Sequence, residues 1–457
     1  MPTAAPLQLL ACPRCDKALD AIENSQFSCT ACDVNYPSVG GIPWLFSMPE
    51  VALTEWQRRH HMATEKLTLA SQQLQSELAD VKLNKLTQQR LELLNSAYQQ
   101  NIKQLEKILT PLETEKLTAN YNTHLAFKTR LPADQGLNTY YPNIHRDWSW
   151  GDEENKLSLE QIQKSLGDNP KLGKTLILGA GAARLAYDIE QSCDTEFVVA
   201  LDFNPLLLLI AKSLVEGEKI ELFEYPISPK SLEQSALLRK LRTSGGKSEK
   251  LHFILADALR APFLAGSFDT VITPWLIDVI PDRLESFSSR INQLLGKQGR
   301  WINFGSLTFR NPELSHCYSV EETIELIQHS GFSKPQMNTI KMPYMCSPDS
   351  RHGRIEEVIT LIMTKTGKTK KPARYQSLPD WLLKADQPVP FSDSFQTQAA
   401  STRIHAFLMS TIDGKRSIQE MATILEQQRL MPYAEALPAL QSFLIKMYDE
   451  SQSYSVF

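Results

Sequence analysis

The spacing of apolar residues changes character several times along the chain, and each change marks a different kind of structure. Across residues 51–125, Leu67, Leu69, Leu74, Leu78, Val81 and Leu83 recur at roughly helical intervals, and Leu91, Leu93 and Leu94 continue the trend. Glycine is absent there and only Pro111 interrupts a run rich in Leu, Gln, Glu, Lys and Ala, so two or three long amphipathic helices are predicted. From 174 to 365 short apolar β-type runs alternate with helical ones. Segments 175–178, 197–201, 252–255, 270–273, 300–304 and 359–363 are the predicted strands. Strands alternating with helices imply a largely parallel sheet with helices on both faces. Residues 367–399, with Lys370-Lys371-Pro372, Pro388 and Pro390, read as a linker with a docking helix around Trp381, and 400–457 as two or three helical runs.

These patterns divide the chain into residues 1–46, short and cysteine-rich; a helical region, 51–130; an α/β domain, 131–366, entered through an aromatic-rich loop at 131–150; the linker, 367–399; and a small, mainly helical C-terminal domain, 400–457. A length of 457 residues is too great for one core and suits about three domains. A formal charge of −4 gives no reason to expect a polyanion-binding protein, which argues against nucleic acid. No uncharged apolar run approaches 18 residues, so no membrane span is expected. The first fifteen residues lack a charged segment followed by a long apolar one, so no secretory signal is expected and the cytoplasm is the predicted location.

Four of the seven cysteines form two Cys-x-x-Cys knuckles, Cys12-Pro13-Arg14-Cys15 and Cys29-Thr30-Ala31-Cys32, with thirteen residues between them. Each knuckle turns two thiolates toward one point, and the pair makes a closed tetrahedral sulfur site suited to structural Zn²⁺. A segment this small has too little apolar surface to fold alone, so the metal would supply much of its stability. With Tyr36-Pro37 and Gly41-Ile42-Pro43 trailing it, the segment resembles the small zinc-ribbon proteins that activate RNA and protein methyltransferases, and that resemblance implies a scaffold role.

A second motif carries chemistry. The run Leu176-Ile177-Leu178 breaks into Gly179-Ala180-Gly181 and then a helix, and a second apolar run ends at Asp202, 23 residues after Gly179. Glycines there let the backbone turn and approach a ligand, and a carboxylate at Asp202 can accept both ribose hydroxyls of an adenosine cofactor. Arg184 stands where a dinucleotide fingerprint has its third glycine, and no Gly-Lys-Ser/Thr holds phosphates. A nucleoside cofactor without pyrophosphate, S-adenosylmethionine, fits both absences. Asp257, ending the third strand, can reach the adenine amino group. For Asp269, turn formation is the leading reading.

From about residue 140 to 365 the chain resembles the carnosine N-methyltransferase family. The likeness lies in Arg146-Asp147-Trp148-Ser149, Gly179-Ala180-Gly181 with Arg184-Leu185-Ala186, Trp275-Leu276-Ile277-Asp278, and Trp301-Ile302-Asn303-Phe304-Gly305-Ser306-Leu307. The resemblance implies a Rossmann-like class I methyltransferase core that methylates a histidine imidazole nitrogen. It implies that Arg146 pairs with the cofactor carboxylate, that Asn143 stands for a cofactor-contacting glutamine, and that Asp202 replaces a glutamate. Asp278 would be the catalytic, substrate-holding acid. The chain also departs from the family. Arg310 replaces a histidine, the pocket tyrosines fall at Arg354, Ile355 and Glu356, and Tyr344 corresponds loosely to one of them. Those changes favour a histidine within a peptide or protein, with another small-molecule amine as the alternative acceptor.

In the C-terminal segment, Asp413-Gly414 followed by Ser417 and Glu420 spells a turn and a capping box opening a helix. It is similar to the winged-helix peptide-binding domain of PqqD-like proteins. His60-His61 is expected to make no metal site, because adjacent helical side chains diverge. His352 reads as a mouth or surface residue. Two other functions stay open on sequence: a non-catalytic peptide-recognition scaffold, and a tRNA methyltransferase suggested by the ribbon alone.

Overall fold

Short strands and turns open the chain. Strands β1 (Asp20–Ala21), β2 (Phe27–Cys29) and β3 (Val34–Tyr36) form one antiparallel sheet, and β4 (Ser38–Val39) pairs with β5 (Ile42–Pro43). In this computed structural model the described residues are 6–79, 82–112, 140–243, 245–310, 313–369 and 386–452. They fall into two compact units, 1–375 and 376–457.

Two long helices follow the ribbon, Pro49–Leu78 and Lys85–Leu109. Pro49 sits in the first turn, where a missing N–H costs nothing, and the Asn84 side chain caps the second helix by accepting from the Thr87 N–H at 2.9 Å. They pack on each other, and their Trp56, Leu105 and Leu109 join the core of the α/β domain. The part of the predicted helical stretch beyond 112, residues 131–139 of the aromatic loop, and the docking helix predicted around Trp381 lie outside the described residues.

The apolar runs of the middle segment lie side by side. Strands β6 (Gly173–Leu178), β7 (Thr195–Asp202), β8 (Ile220–Glu224), β9 (Leu237–Leu241), β10 (Leu251–Leu255), β11 (Phe268–Pro274), β12 (Leu295–Gly305), β13 (Gln336–Tyr344) and β14 (Arg354–Thr364) follow in order. Seven of them make one sheet in the order β10-β7-β6-β11-β12-β14-β13, parallel through β12 and antiparallel beyond it. Side chains alternate between two buried layers. Ile177, Val198, Ala200 and Ile272 face one, and Leu176, Leu178, Val199, Leu201 and Val271 face the other. Because both faces are covered, these strands read as continuous apolar runs.

Strands β8 and β9 form a separate hairpin, and neither it nor β13 is among the predicted strands. Strand β8 does carry an apolar signature, with Ile220, Leu222 and Phe223 buried, whereas β9 buries only Leu241. Strand β13 is an edge strand whose first four residues are exposed and which contains Pro343, so little in its composition announces a buried strand. The ribbon packs on the second layer, where Leu10, Phe27, Tyr36 and Leu45 share a core with Phe263 and Phe268.

The second unit contains, among its described residues, the helices Asp393–Ser410, Ile418–Gln427 and Tyr433–Gln452. Met421, Ala422, Leu425, Ala436 and Leu440 form its core. The capping box is present, with Ser417 and Glu420 each bonding the other's backbone N–H, and Asp413 Oδ1 accepts from the Lys415 and Arg416 N–H groups to fix the turn before it. No helix among the described residues is long and apolar enough to cross a membrane.

Candidate active site and metal centre

Strand order reverses at β6, which has β7 on one side and β11 on the other, and a crevice opens at the carboxyl ends of such strands. The glycine turn sits there. The Gly179 and Ala180 N–H groups both donate to the Leu201 carbonyl at 3.0 Å. Gly179 has φ +69°, and a Cβ on it would stand 3.0 Å from Leu276 Cδ1. Gly181, at φ +58°, has nothing within 4 Å of its Cβ position, so the space above it is open.

Asp202 closes the turn from below. Its Oδ2 accepts from the Gly181 N–H at 2.8 Å and its Oδ1 from the Asn204 N–H at 2.9 Å. Burial pushes its carboxyl up to about 6, against the opposing effect of those donors. Beside it, the Ala256 N–H donates to the Asp202 carbonyl, and the next residue is Asp257. Asp257 Oδ1 accepts from the Leu259 N–H at 2.8 Å and caps the turn Ala258–Arg260, while burial raises its pKa. Asp269 lies at the opposite end of the sheet, accepting from the Lys174 N–H at 2.9 Å, as a turn-stabilising residue would.

A helix, Tyr141–His145, runs directly into one π-helical turn, Arg146–Trp150, a distortion common at functional sites. Trp148 Nε1 donates to the Ala182 carbonyl at 2.8 Å and Arg184 Nη1 to the Asp147 carbonyl at 2.6 Å, which fastens this turn to the glycine loop. Asn143 is partly exposed one turn before Arg146. The Arg146 guanidinium makes two contacts to Asp147 Oδ1, 2.7 Å from Nε and 2.6 Å from Nη2, and lies 5.8 Å from the Tyr344 ring. The fork expected on a cofactor carboxylate is thus already partly engaged by its neighbour.

On the other side of the crevice the chain leaves β11 through Trp275, whose φ of +50° is strained for a bulky side chain. Its N–H donates to the Phe304 carbonyl at 2.7 Å, and its ring lies 4.5 Å from that of Tyr344. Three residues on, Asp278 is buried and its Oδ2 accepts from the Thr308 N–H at 2.8 Å, tying the loop after β11 to the loop after β12. It does not cap the following helix, which begins at Leu284 with Arg283 at its N-cap. Asp278, Asp282, Phe309, Arg310, His316 and Tyr318 line one pocket. Tyr344 is outside that lining and meets Trp275 and Arg146 instead, with Arg354 stacked 4.6 Å from its ring and paired to Glu356 at 2.5 Å.

The predicted residues therefore fall into three neighbourhoods: Gly179, Gly181, Asp202 and Asp257; Asn143, Arg146 and Tyr344; and Asp278 with Arg310. Sequence reasoning missed His316 and Tyr318, which reach the pocket across a loop, and the strain at Trp275. Only the backbone reveals either. His60 is buried in its helix and His352 is exposed.

At the ribbon the thiol sulfurs of Cys12, Cys15, Cys29 and Cys32 lie within 4.8 Å of one another. The Cys15–Cys29 and Cys12–Cys32 separations are 3.5 and 3.9 Å, on either side of the ~3.8 Å edge of a tetrahedron with Zn–S bonds of ~2.3 Å. The Tyr36 hydroxyl lies 3.1 Å from Cys12 Sγ. Burial and the crowding of thiols raise the pKa of Cys29 and Cys32, a cost that a bound cation would remove.

Residues 135–355 match the family model described as carnosine N-methyltransferase. The match takes in every predicted cofactor and substrate residue and leaves out the ribbon and the second unit. No curated protein matches the chain. Among solved structures, the chain is 12% identical to phosphoethanolamine N-methyltransferase 2 of Haemonchus contortus, solved with phosphomonomethylethanolamine and S-adenosylhomocysteine, at a TM-score of 0.34. That alignment covers 52% of this chain and spans 61% of the nematode protein. A S-adenosylmethionine-dependent methyltransferase of Leishmania major is 13% identical over 50% of this chain and 81% of that one, at 0.34. The YcgJ protein of Bacillus subtilis is 13% identical over 46% and 99%, at 0.32. These likenesses are too loose to carry any property across.

Proposed function

From the match of residues 135–355 to the carnosine N-methyltransferase family model we propose that the chain is an S-adenosylmethionine-dependent methyltransferase whose acceptor is a histidine imidazole nitrogen on a peptide or protein. The observation that carries this reading is the Asp278 carboxylate. It is buried on a pocket wall, its Oδ2 is occupied by the Thr308 N–H, and Oδ1 has no partner among the described residues. An imidazole N–H donating to Oδ1 fixes the ring tautomer and leaves the other nitrogen's lone pair free to attack. Positive charge building on the ring during methyl transfer would be stabilised by the fixed Asp278 carboxylate. Alignment, more than basicity, is what the site must supply.

For the cofactor, Asp202 retains lone pairs for the ribose hydroxyls beyond its two backbone bonds, and Gly181 leaves room for the nucleoside. Asp257 keeps Oδ2 for the adenine side. Arg146, with five donors, would share its fork between Asp147 and the cofactor carboxylate, with Asn143 beside it. The bound cofactor supplies an electrophilic methyl on a sulfonium. Arg354 and Glu356 place charges where the family resemblance has tyrosines, which favours a longer peptide over a free dipeptide. The four ribbon thiolates would hold one structural Zn²⁺, with no open position for catalysis.

Asp278→Ala should bind S-adenosylmethionine within about twofold of the parent and lose roughly 10²-fold or more in methyl transfer to histidine peptides. Calorimetric titration and mass spectrometry of the peptides measure the two quantities. Undiminished turnover in Asp278→Ala, or methylation of tRNA with no peptide modified, would replace this reading.

A further inference from the structure

The β8–β9 hairpin has no place in the sheet, yet it carries a charged chain that links the Arg146–Trp150 turn to the loop between β13 and β14. Arg239, on β9, bonds Glu224 Oε2 through Nε at 2.6 Å and also reaches Asp349 Oδ2. Glu224, 6% exposed, accepts from Trp150 Nε1 through its other oxygen at 3.1 Å. The Arg242 N–H donates to the Trp148 carbonyl at 2.9 Å, so the hairpin grips the turn that holds Arg146.

At its far end the chain grips the loop between β13 and β14. Asp349 Oδ1 accepts from Gln234 Nε2 at 2.6 Å, its carbonyl accepts from the Lys230 N–H at 3.1 Å, and the Arg351 N–H donates to the Ser228 carbonyl at 2.9 Å. The start of the same loop is held separately, where the Cys346 and Met345 N–H groups donate to the Glu154 carboxylate at 2.9 and 3.1 Å. Tyr344, immediately before it, is the residue whose ring meets Trp275.

We propose that Arg239 is a positioning residue: bridging Glu224 and Asp349, it sets the β13–β14 hairpin, and with it Tyr344, at a fixed distance from the Arg146 turn, and so determines how the acceptor is presented. This rests on the reading of the Asp278 pocket as the acceptor site, to which Tyr344 is linked through its ring contact with Trp275, three residues before Asp278. A charge-assisted, two-sided bridge suits the role. The planar guanidinium can satisfy two carboxylates at once, whereas an ammonium would act as a single point charge.

The discriminating variant is Asp349→Ala, which loosens one end and leaves Glu224 paired. In the protein saturated with S-adenosylmethionine, amides of residues 345–353 should exchange about tenfold faster, the worth of a charge-assisted hydrogen bond, while those of 176–184 stay unchanged. With carnosine and N-acetyl-Gly-His-Gly-amide as probes, the acceptor KM should rise about tenfold with cofactor affinity within twofold. Asp349→Asn should recover part of the loss, and Arg239→Lys should resemble Asp349→Ala. Unmoved exchange in 345–353 overturns the clamp alone. Equal loss of cofactor affinity and acceptor KM also overturns it, because a merely structural role predicts that outcome. A parent chain that binds cofactor but methylates neither probe defeats the acceptor reading first, and the clamp with it.

Discussion

Asp202 is where residue chemistry most directly sets behaviour. A ribose hydroxyl donates more strongly to the ionised carboxylate than to the protonated acid, and burial pushes that carboxyl up to about 6. As pH falls through that value the ionised fraction declines, so affinity for S-adenosylmethionine should be flat above pH 7 and weaker at pH 5 by up to about tenfold. Calorimetric titration across that range checks it; a flat profile would remove Asp202 from the cofactor site. The two loop glycines separate backbone cost from ligand space. Both Gly179→Ala and Gly181→Ala incur a left-handed penalty of about 1–2 kcal/mol. Gly179→Ala also crowds Leu276, so it should melt lower, whereas Gly181→Ala puts its methyl into open space and should lose more cofactor affinity. Thermal melts and titrations that rank them the other way would move the cofactor elsewhere.

At the scale of elements, local signals were read where they are self-contained. The Ser417–Glu420 box is an interaction within one helical turn, and it stands as the spacing predicts. Ser417→Ala should cost the helix Ile418–Gln427 about 1 kcal/mol, seen as faster amide exchange over 418–422. Exchange there that stays unchanged would mean the cap contributes nothing. The π-helical turn at Arg146–Trp150 is the opposite case. It is held by Ala182 and Arg184, more than thirty residues away, and no propensity in Arg-Asp-Trp-Ser-Trp asks for it.

Across the whole molecule, the ribbon does more than hold sulfur. Trp44 bridges in parallel to Leu255, the Leu45 N–H donates to its carbonyl at 2.8 Å, and the Ala11 N–H donates to the Pro262 carbonyl. These contacts cover the end of β10, the sheet's edge strand, which would otherwise present unpaired backbone groups. Stripping the metal should therefore destabilise the α/β core as well as the ribbon, lowering the melting temperature by at least about 5 °C, with Cys29→Ser behaving alike. Scanning calorimetry with and without chelator, beside metal analysis of the native protein, tests this. An unshifted melt would leave the cysteines without a structural metal.

Alternating runs, glycine turns, paired cysteine knuckles and terminal acids are short-range or periodic features, so the sequence by itself determined the strand-and-helix alternation, the cysteine cluster and the strand ends where Asp202 and Asp257 stand. Tertiary structure alone decided what those residues touch. Arg146 shares its charge with Asp147, Asp278 is tied to Thr308 rather than to a helix end, and Tyr344 meets Trp275 across strands β13 and β11. The β8–β9 clamp was illegible for the same reason. Glu224, Arg239 and Asp349 are ordinary charged residues until folding brings them together, and the burial of Glu224 then favours their pairing.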